Sequence, residues 1–244
     1  MIDQVSDAEA PAAIRKMASR LGAWAAVLTL ICTVVFAVFA IATPARSGPF
    51  CATWGCVTYP YTAVVQFIPG DYFWLVPGIL LALLVVILFA CIHAFAREGK
   101  RLFSRIALLF AGAYALVIVA DYFSQFAIVM PSLQRGETAG LSLFTQYNPH
   151  GFFIAGEALG YFLLSLAFLF AAPVFAGPRA ERALRWLFAV SFVMAVAAFV
   201  DLRLLNNDLV AFEVVILMIN WIVLIISGVL LTLVFRQAAR PEAT

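Results

Sequence analysis

LGAWAAVLTLICTVVFAVFAIA, residues 21–42, decides the fold class of this chain. It runs 22 residues without a charge, far beyond the core of a cleaved leader, which is about 7–15 residues. A run of that length crosses a bilayer core of about 30 Å as a helix. The pattern recurs. Apolar runs over 73–96, 106–128, 152–175, 186–205 and 209–235 bring the expected spans to six. Composition agrees: of 244 residues, 65% are hydrophobic and 11% charged, with a mean hydropathy of +1.05. A soluble domain carries about 25% charged residues. The expected fold is an all-α integral membrane protein, a six-transmembrane-helix bundle forming one membrane domain over 21–235. Residues 1–20 and 236–244 read as polar tails.

Basic residues set the expected orientation. Arg15, Lys16, Arg20, Arg97, Lys100, Arg101, Arg105, Arg179, Arg182, Arg185, Arg236 and Arg240 fall on one side, and only Arg46, Arg135 and Arg203 on the other. The positive-inside rule puts both termini in the cytoplasm, as in a bacterial-type inner membrane. Cys51 and Cys56 then sit in an outer loop, where a local disulfide is chemically reasonable. Cys32 and Cys91 lie in apolar runs and read as buried thiols. Trp54, Tyr59, Tyr61, Tyr72 and Trp74 read as an aromatic belt at the outer interface. Asp71 reads as a cap on the second span, or as part of the rim of an outer crevice.

Chemistry concentrates at one depth. At 1.5 Å per residue, Asp121 and Asp201 each lie roughly 22–24 Å from the basic ends of their spans. Glu157 lies roughly 8 Å, and Glu213 roughly 6 Å, below the outer starts of theirs. Arg105 precedes Asp121 by sixteen residues, and Arg185 precedes Asp201 by the same interval. Each acid is followed, on the returning span, by one of the glutamates. The two hairpins therefore look like parallel repeats, although equal span lengths alone would produce the same spacing. Acids inside spans face a bundle interior or a watery cavity. Polar rows at helical spacing run beside them: Glu157, Tyr161 and Ser165; Glu213, Asn220 and Ser227; Tyr114, Asp121 and Gln125. Arg203 is the nearest strong cation in this reading, and Gly156 and Gly160 offer a small-residue face for close helix packing, within the chain in preference to a second copy.

These residues outline a carboxylate-lined crevice opening outward, formed by Asp121, Glu157, Asp201, Glu213, Tyr161, Asn220, Gln125 and Arg203. A small cationic or protonatable solute fits such a site. An outer-leaflet enzyme acting on a membrane-soluble substrate is the alternative, with His150 or Glu157 as general base and His150, Glu157, Asp121 and Asp201 as metal-ligand candidates. A non-catalytic membrane subunit or assembly factor, its acids serving only as glue, is the third. Other classes fall away. Lys16 and Lys100 both flank spans, so no lysine within a span can form a retinal Schiff base. His93 and His150 lie near opposite faces and cannot both ligate one haem. No Cys-x-x-Cys, Gly-x-Ser-x-Gly or His-Glu-x-x-His occurs, and nothing suggests nucleic acid as a partner.

Overall fold

The computed structural model describes residues 6–51 and 55–240; Trp54 and both chain ends beyond these limits lie outside the described residues. The chain forms α1 (Ser6–Ala42), α2 (Leu75–Phe95), α3 (Arg101–Ser124), α4 (Met130–Arg135), α5 (Phe152–Ala171), α6 (Arg179–Ala198) and α7 (Leu209–Ala238). No strand occurs among the described residues. A π-helical turn, Gln125–Val129, carries α3 into α4, and a second, Phe199–Leu205, extends α6. Six helical segments are then long and apolar enough to cross a membrane: Lys16–Ala42, Gly70–Phe95, Glu98–Arg135, Phe152–Val174, Arg179–Leu205 and Leu209–Ala238.

The differences from the expected spans sit at their ends. The first helix begins at Ser6, inside the stretch read as a polar tail, because residues 8–18 are rich in alanine, the best helix former. α3 and α6 begin at Arg101 and Arg179, where a basic loop was expected. Arginine is a good helix former, and its long stem lets the charge reach the interface from the first turns of a span.

Packing closes α1, α2, α3, α5 and α7 into a ring in which each helix touches the next and α7 returns to α1. α6 stands outside, in the notch between α5 and α7. The apolar window of α5 is 56% buried and that of α6 only 22%. Lipid thus covers most of α6, while α5 is the most enclosed element. Arg20 and Trp24 of α1 lie beside Arg236 of α7 and the following Ala239, so the start of the first span and the end of the last share one side, called here the terminal side. Its interior is filled by phenylalanines: Phe89 on Phe168, Phe168 on Phe188, Phe188 on Phe175, and Phe95 between Phe175 and Phe235.

On the opposite, loop side the chain between α1 and α2 carries the Cys51–Cys56 disulfide, with Cα atoms 5.9 Å apart, and a 3-10 helix, Thr62–Phe67. Cys91 is buried and Cys32 half-buried, its thiol donating to the Pro77 carbonyl at 3.2 Å. The aromatic belt is only partly a belt: Tyr59 is exposed, but Tyr72 is fully buried and Trp74 turns into the bundle. At the terminal end of α2, His93 Nδ1 lies 2.8 Å from the Ser104 hydroxyl of α3.

Candidate functional site

α5 starts at Phe152 because the residues before it make a turn that cannot shift. Asn148 Oδ1 accepts the His150 N–H at 2.9 Å, and the Asn148 carbonyl accepts the Gly151 N–H at 2.9 Å. A Cβ on Gly151 would stand 3.0 Å from both the Asn148 and Leu143 carbonyl oxygens. This register places Glu157 on the face of α5 turned into the ring, where it is buried. On α7, Asp208 caps the helix by accepting the Ala211 N–H at 2.9 Å, which sets the depth of Glu213 in turn.

Both glutamates line the inner end of one cavity of about 260 Å³ that opens on the loop side. Glu157 comes from α5 and Glu213 from α7, and both side chains are buried. The Tyr122 hydroxyl donates to Glu157 Oε1 from the side. Trp74, Phe153 and Leu217 form walls, and the rim is made of residues 43–50 with Gln146, Tyr147 and Pro149. Trp74 and Phe153 belong to a larger aromatic group, Trp74 lying 5.4 Å from Tyr122 and 5.7 Å from Phe36, and Phe36 5.1 Å from Trp221. Gly78 makes this possible, since any Cβ there would collide with the Tyr122 ring.

An ion pair stands at the mouth. Arg46 Nε and Nη2 donate to Asp71 at 2.9 and 3.1 Å, a two-pronged contact, and the guanidinium lies 3.7 Å from the centre of the Phe67 ring. The hydrogen bond to Asp71 raises the pKa of Arg46 above its ordinary value, reinforcing a permanent charge. Tyr147 OH also donates to Asp71, at 3.3 Å. Burial first, then the neighbouring Tyr72 and Asp71, pushes the Tyr147 phenol up. The N-caps here are Pro69 and Trp74, and the Asp71 side chain bonds instead to Arg46 and Tyr147 at the rim.

Asp121 lies behind Glu157. A Cβ on Gly156 would come 2.8 Å from Asp121 Oδ2, and one on Gly160 2.7 Å from Ile118 Cδ1. The two glycines are thus the groove of α5 into which α3 packs, within one chain. Asp121 is 2% exposed, and neither carboxylate oxygen has a hydrogen-bond partner. The Tyr114 and Tyr161 hydroxyls and Trp221 Nε1, also buried, share this condition. Their rings adjoin, Tyr114 and Tyr161 at 5.5 Å, so the polar interior extends about one helical turn below Glu157.

The remaining expected site residues divide. Gln125 holds the loop that forms the cavity wall, donating to the Phe144 carbonyl at 2.8 Å and accepting the Gln146 N–H at 3.1 Å. Asn220 ties α7 to α5 through Ser165 Oγ and the Tyr161 carbonyl, both at 3.1 Å. Asp201 is exposed and bonded to Asn206 at 3.2 Å. Arg203 bonds to Asn207. Neither lines the cavity, where the cation is Arg46. His150 is exposed and does not line the cavity either. Among the described residues no three His, Cys, Asp or Glu side chains come together as metal ligands. Arg46, Trp74 and Tyr122 were not among the expected site residues; the Tyr122 signal was its place beside Asp121 on an otherwise apolar span.

No protein-family model, curated protein or solved structure matches this chain.

Proposed function

We propose that this multi-pass membrane protein binds a small cationic or protonatable solute in the loop-side cavity, on Glu157 and Glu213, as part of its uptake, release or sensing. By the distribution of basic residues the cavity opens away from the cytoplasm of a bacterial-type inner membrane. The observation carrying this reading is the convergence of two carboxyl groups, from two helices, on the floor of one cavity. Three buried carboxyl groups, Asp121, Glu157 and Glu213, cannot all hold charge in so apolar a setting without compensation. A proton or a bound cation has to accompany them. The cation lining the cavity, Arg46, is already engaged by Asp71. The aromatic wall adds a second attraction for positive charge, because a ring face such as that of Trp74 draws a cation within about 6 Å. At about 30 Å³ per water, the volume suits a solute the bulk of about nine waters.

The test is a titration of the purified protein in nanodiscs with alkylammonium and guanidinium ions, read by tryptophan fluorescence and thermal shift. Wild type should show saturable binding of at least one cation, weakened about tenfold or more in Glu157→Gln and Glu213→Gln, in line with about 1.4 kcal/mol or more for a lost charge contact. If no cation binds, or both variants bind as wild type does, the reading fails. Variants that are merely less stable while binding is undetectable throughout would leave the acids as glue within a non-catalytic subunit.

A further inference from the structure

The terminal side holds a second cavity, unconnected to the first. It has a volume of about 340 Å³ and lies between the start of the α1 span and the end of α7, lined by Arg20, Ala23, Trp24, Arg236, Ala239 and Arg240. Gly22 lets the two helices approach there, since a Cβ on it would stand 2.8 Å from the Phe235 ring, and Arg20, Arg236 and Arg240 stand around one space. Like charges do not gather without cause. The ion pairs among the described residues are Arg46–Asp71 and Arg101–Glu98, so none of these three arginines has an acidic partner there. Lys16, exposed and one turn before Arg20 on α1, adds to the same positive field.

Two further features say what kind of anion completes the site. Trp24 is 67% exposed at its edge, and tryptophan favours the headgroup level of a bilayer. From the cavity, exposed apolar stripes continue along both helices toward the membrane centre: Trp24, Leu28 and Ile31 on α1, and Leu233, Val229 and Ile226 on α7. A soluble anion would use the arginines and leave these stripes unused. A lipid uses both.

We infer that Arg20, Arg236 and Arg240 form a binding site for the phosphate headgroup of an anionic phospholipid, whose acyl chains lie along the exposed faces of α1 and α7. Guanidinium groups suit phosphate because their fork of N–H donors matches its oxygens. Basic pockets between spans on the positive side of a membrane protein are where such headgroups bind. The bound lipid would neutralise the arginines and hold the chain's first and last spans together. This does not depend on what the loop-side cavity binds.

The experiment is native mass spectrometry of the full chain released from micelles containing equal phosphatidylglycerol and phosphatidylcholine. Wild type should keep phosphatidylglycerol in preference, and Arg20→Gln/Arg236→Gln should lose that preference about thirtyfold, at about 1 kcal/mol for each of the two basic residues. Arg20→Lys/Arg236→Lys, which keeps the charge, should retain a good part of it. Equal retention of the two lipids by wild type, or unchanged preference in the glutamine variant, overturns the inference. A second readout does not need the arginine variants: phosphatidylglycerol brominated on its acyl chains should quench wild-type fluorescence more than brominated phosphatidylcholine does, and Trp24→Phe should abolish the difference. Inorganic phosphate should give no thermal protection at the concentration at which phosphatidylglycerol protects. Equal protection by phosphate would make this a soluble-anion site and also overturn the inference.

Discussion

The hairpin of α3 and α5 and the hairpin of α6 and α7 carry the same chemical spacing and use it differently. Arg105 and Asp121 in one correspond to Arg185 and Asp201 in the other, and each pair is followed by a glutamate on the returning helix. Both outgoing helices end in a π-helical turn. Yet Asp121 is buried against α5 while Asp201 is exposed. The residue before each glutamate accounts for this. Gly156 leaves a hollow that the Asp121 carboxylate enters; its counterpart, Phe212, is a buried ring that stacks edge-on against Phe199 at 5.5 Å. Likewise Gly160 corresponds to Ile216. α3 is therefore drawn into the ring, whereas α6 rests outside it. A hairpin becomes part of the polar interior through the small residues on its returning helix, and carrying an acid does not suffice.

The largest effects should come from exchanging these side chains. Gly156→Leu would push into Asp121 and separate α3 from α5, at a cost of about 3 kcal/mol from overpacking. Phe212→Ala would empty a filled site, with a comparable loss of about 3 kcal/mol. Thermal unfolding in detergent, followed by size-exclusion, measures both. Should Gly156→Leu unfold at the wild-type temperature, the packing of α3 on α5 does not rest on this glycine.

The hairpins also differ in their connections. The connection 136–151 lines the cavity mouth through Gln146, Tyr147 and Pro149, and Tyr147 reaches Asp71, whereas α6 passes to α7 through a turn of a few residues whose contacts stay local. Arg46→Gln should therefore act at a distance, leaving buried Asp71 with Tyr147 alone. Breaking such a pair costs about 3–5 kcal/mol when fully buried; here the Arg46 side chain is 21% exposed, and about 2 kcal/mol is expected. Limited proteolysis should become faster within 136–151 and stay unchanged at 206–208. Equal protection of the long loop would show that the ion pair does not hold it.

What the sequence made legible was depth. Asn148, Pro149 and Gly151 mark where α5 begins, and counting from there puts Glu157 level with Glu213, and both line the cavity. Direction around each helix was not legible. Spans surrounded by lipid on one side and apolar side chains on the other are hydrophobic all round, so the 3.6-residue period that reveals the inner face of a soluble helix is absent. Asp121 and Asp201 are indistinguishable on that basis. Nor could Arg46 be assigned to Asp71, since the two are 25 residues apart in an irregular loop. The small-residue pair Gly156 and Gly160 was the legible clue to which helix lies innermost, for it names a face.

A smaller effect tests the interior of the first hairpin. Tyr122→Phe removes the hydroxyl that donates to Glu157, leaving a buried acceptor short of a partner at about 1–2 kcal/mol. The corresponding position in the second hairpin is Leu202, with no hydroxyl to lose. Trp74, 5.4 Å from the Tyr122 ring, should report the change in its emission. An unaltered unfolding temperature would mean that the Tyr122 hydroxyl does not support Glu157.

The smallest effect is expected where a reading by spacing would place one of the largest. Asp201→Asn alters an exposed side chain that accepts a single hydrogen bond, from its neighbour Asn206. Substitutions of this kind stay within about 0.5 kcal/mol, and cation titration of the variant should match wild type. Asp121→Asn, by contrast, changes the charge that can reside beside Glu157 and should shift the same titration curve while the fold survives, the new side chain having nearly the same shape. Measured side by side, the two variants separate height in the membrane from position around the ring. If Asp201→Asn shifted cation binding as much as Asp121→Asn does, α6 would have to contribute to the site from outside the ring, and the asymmetry traced to Gly156 and Phe212 would not govern which acids take part.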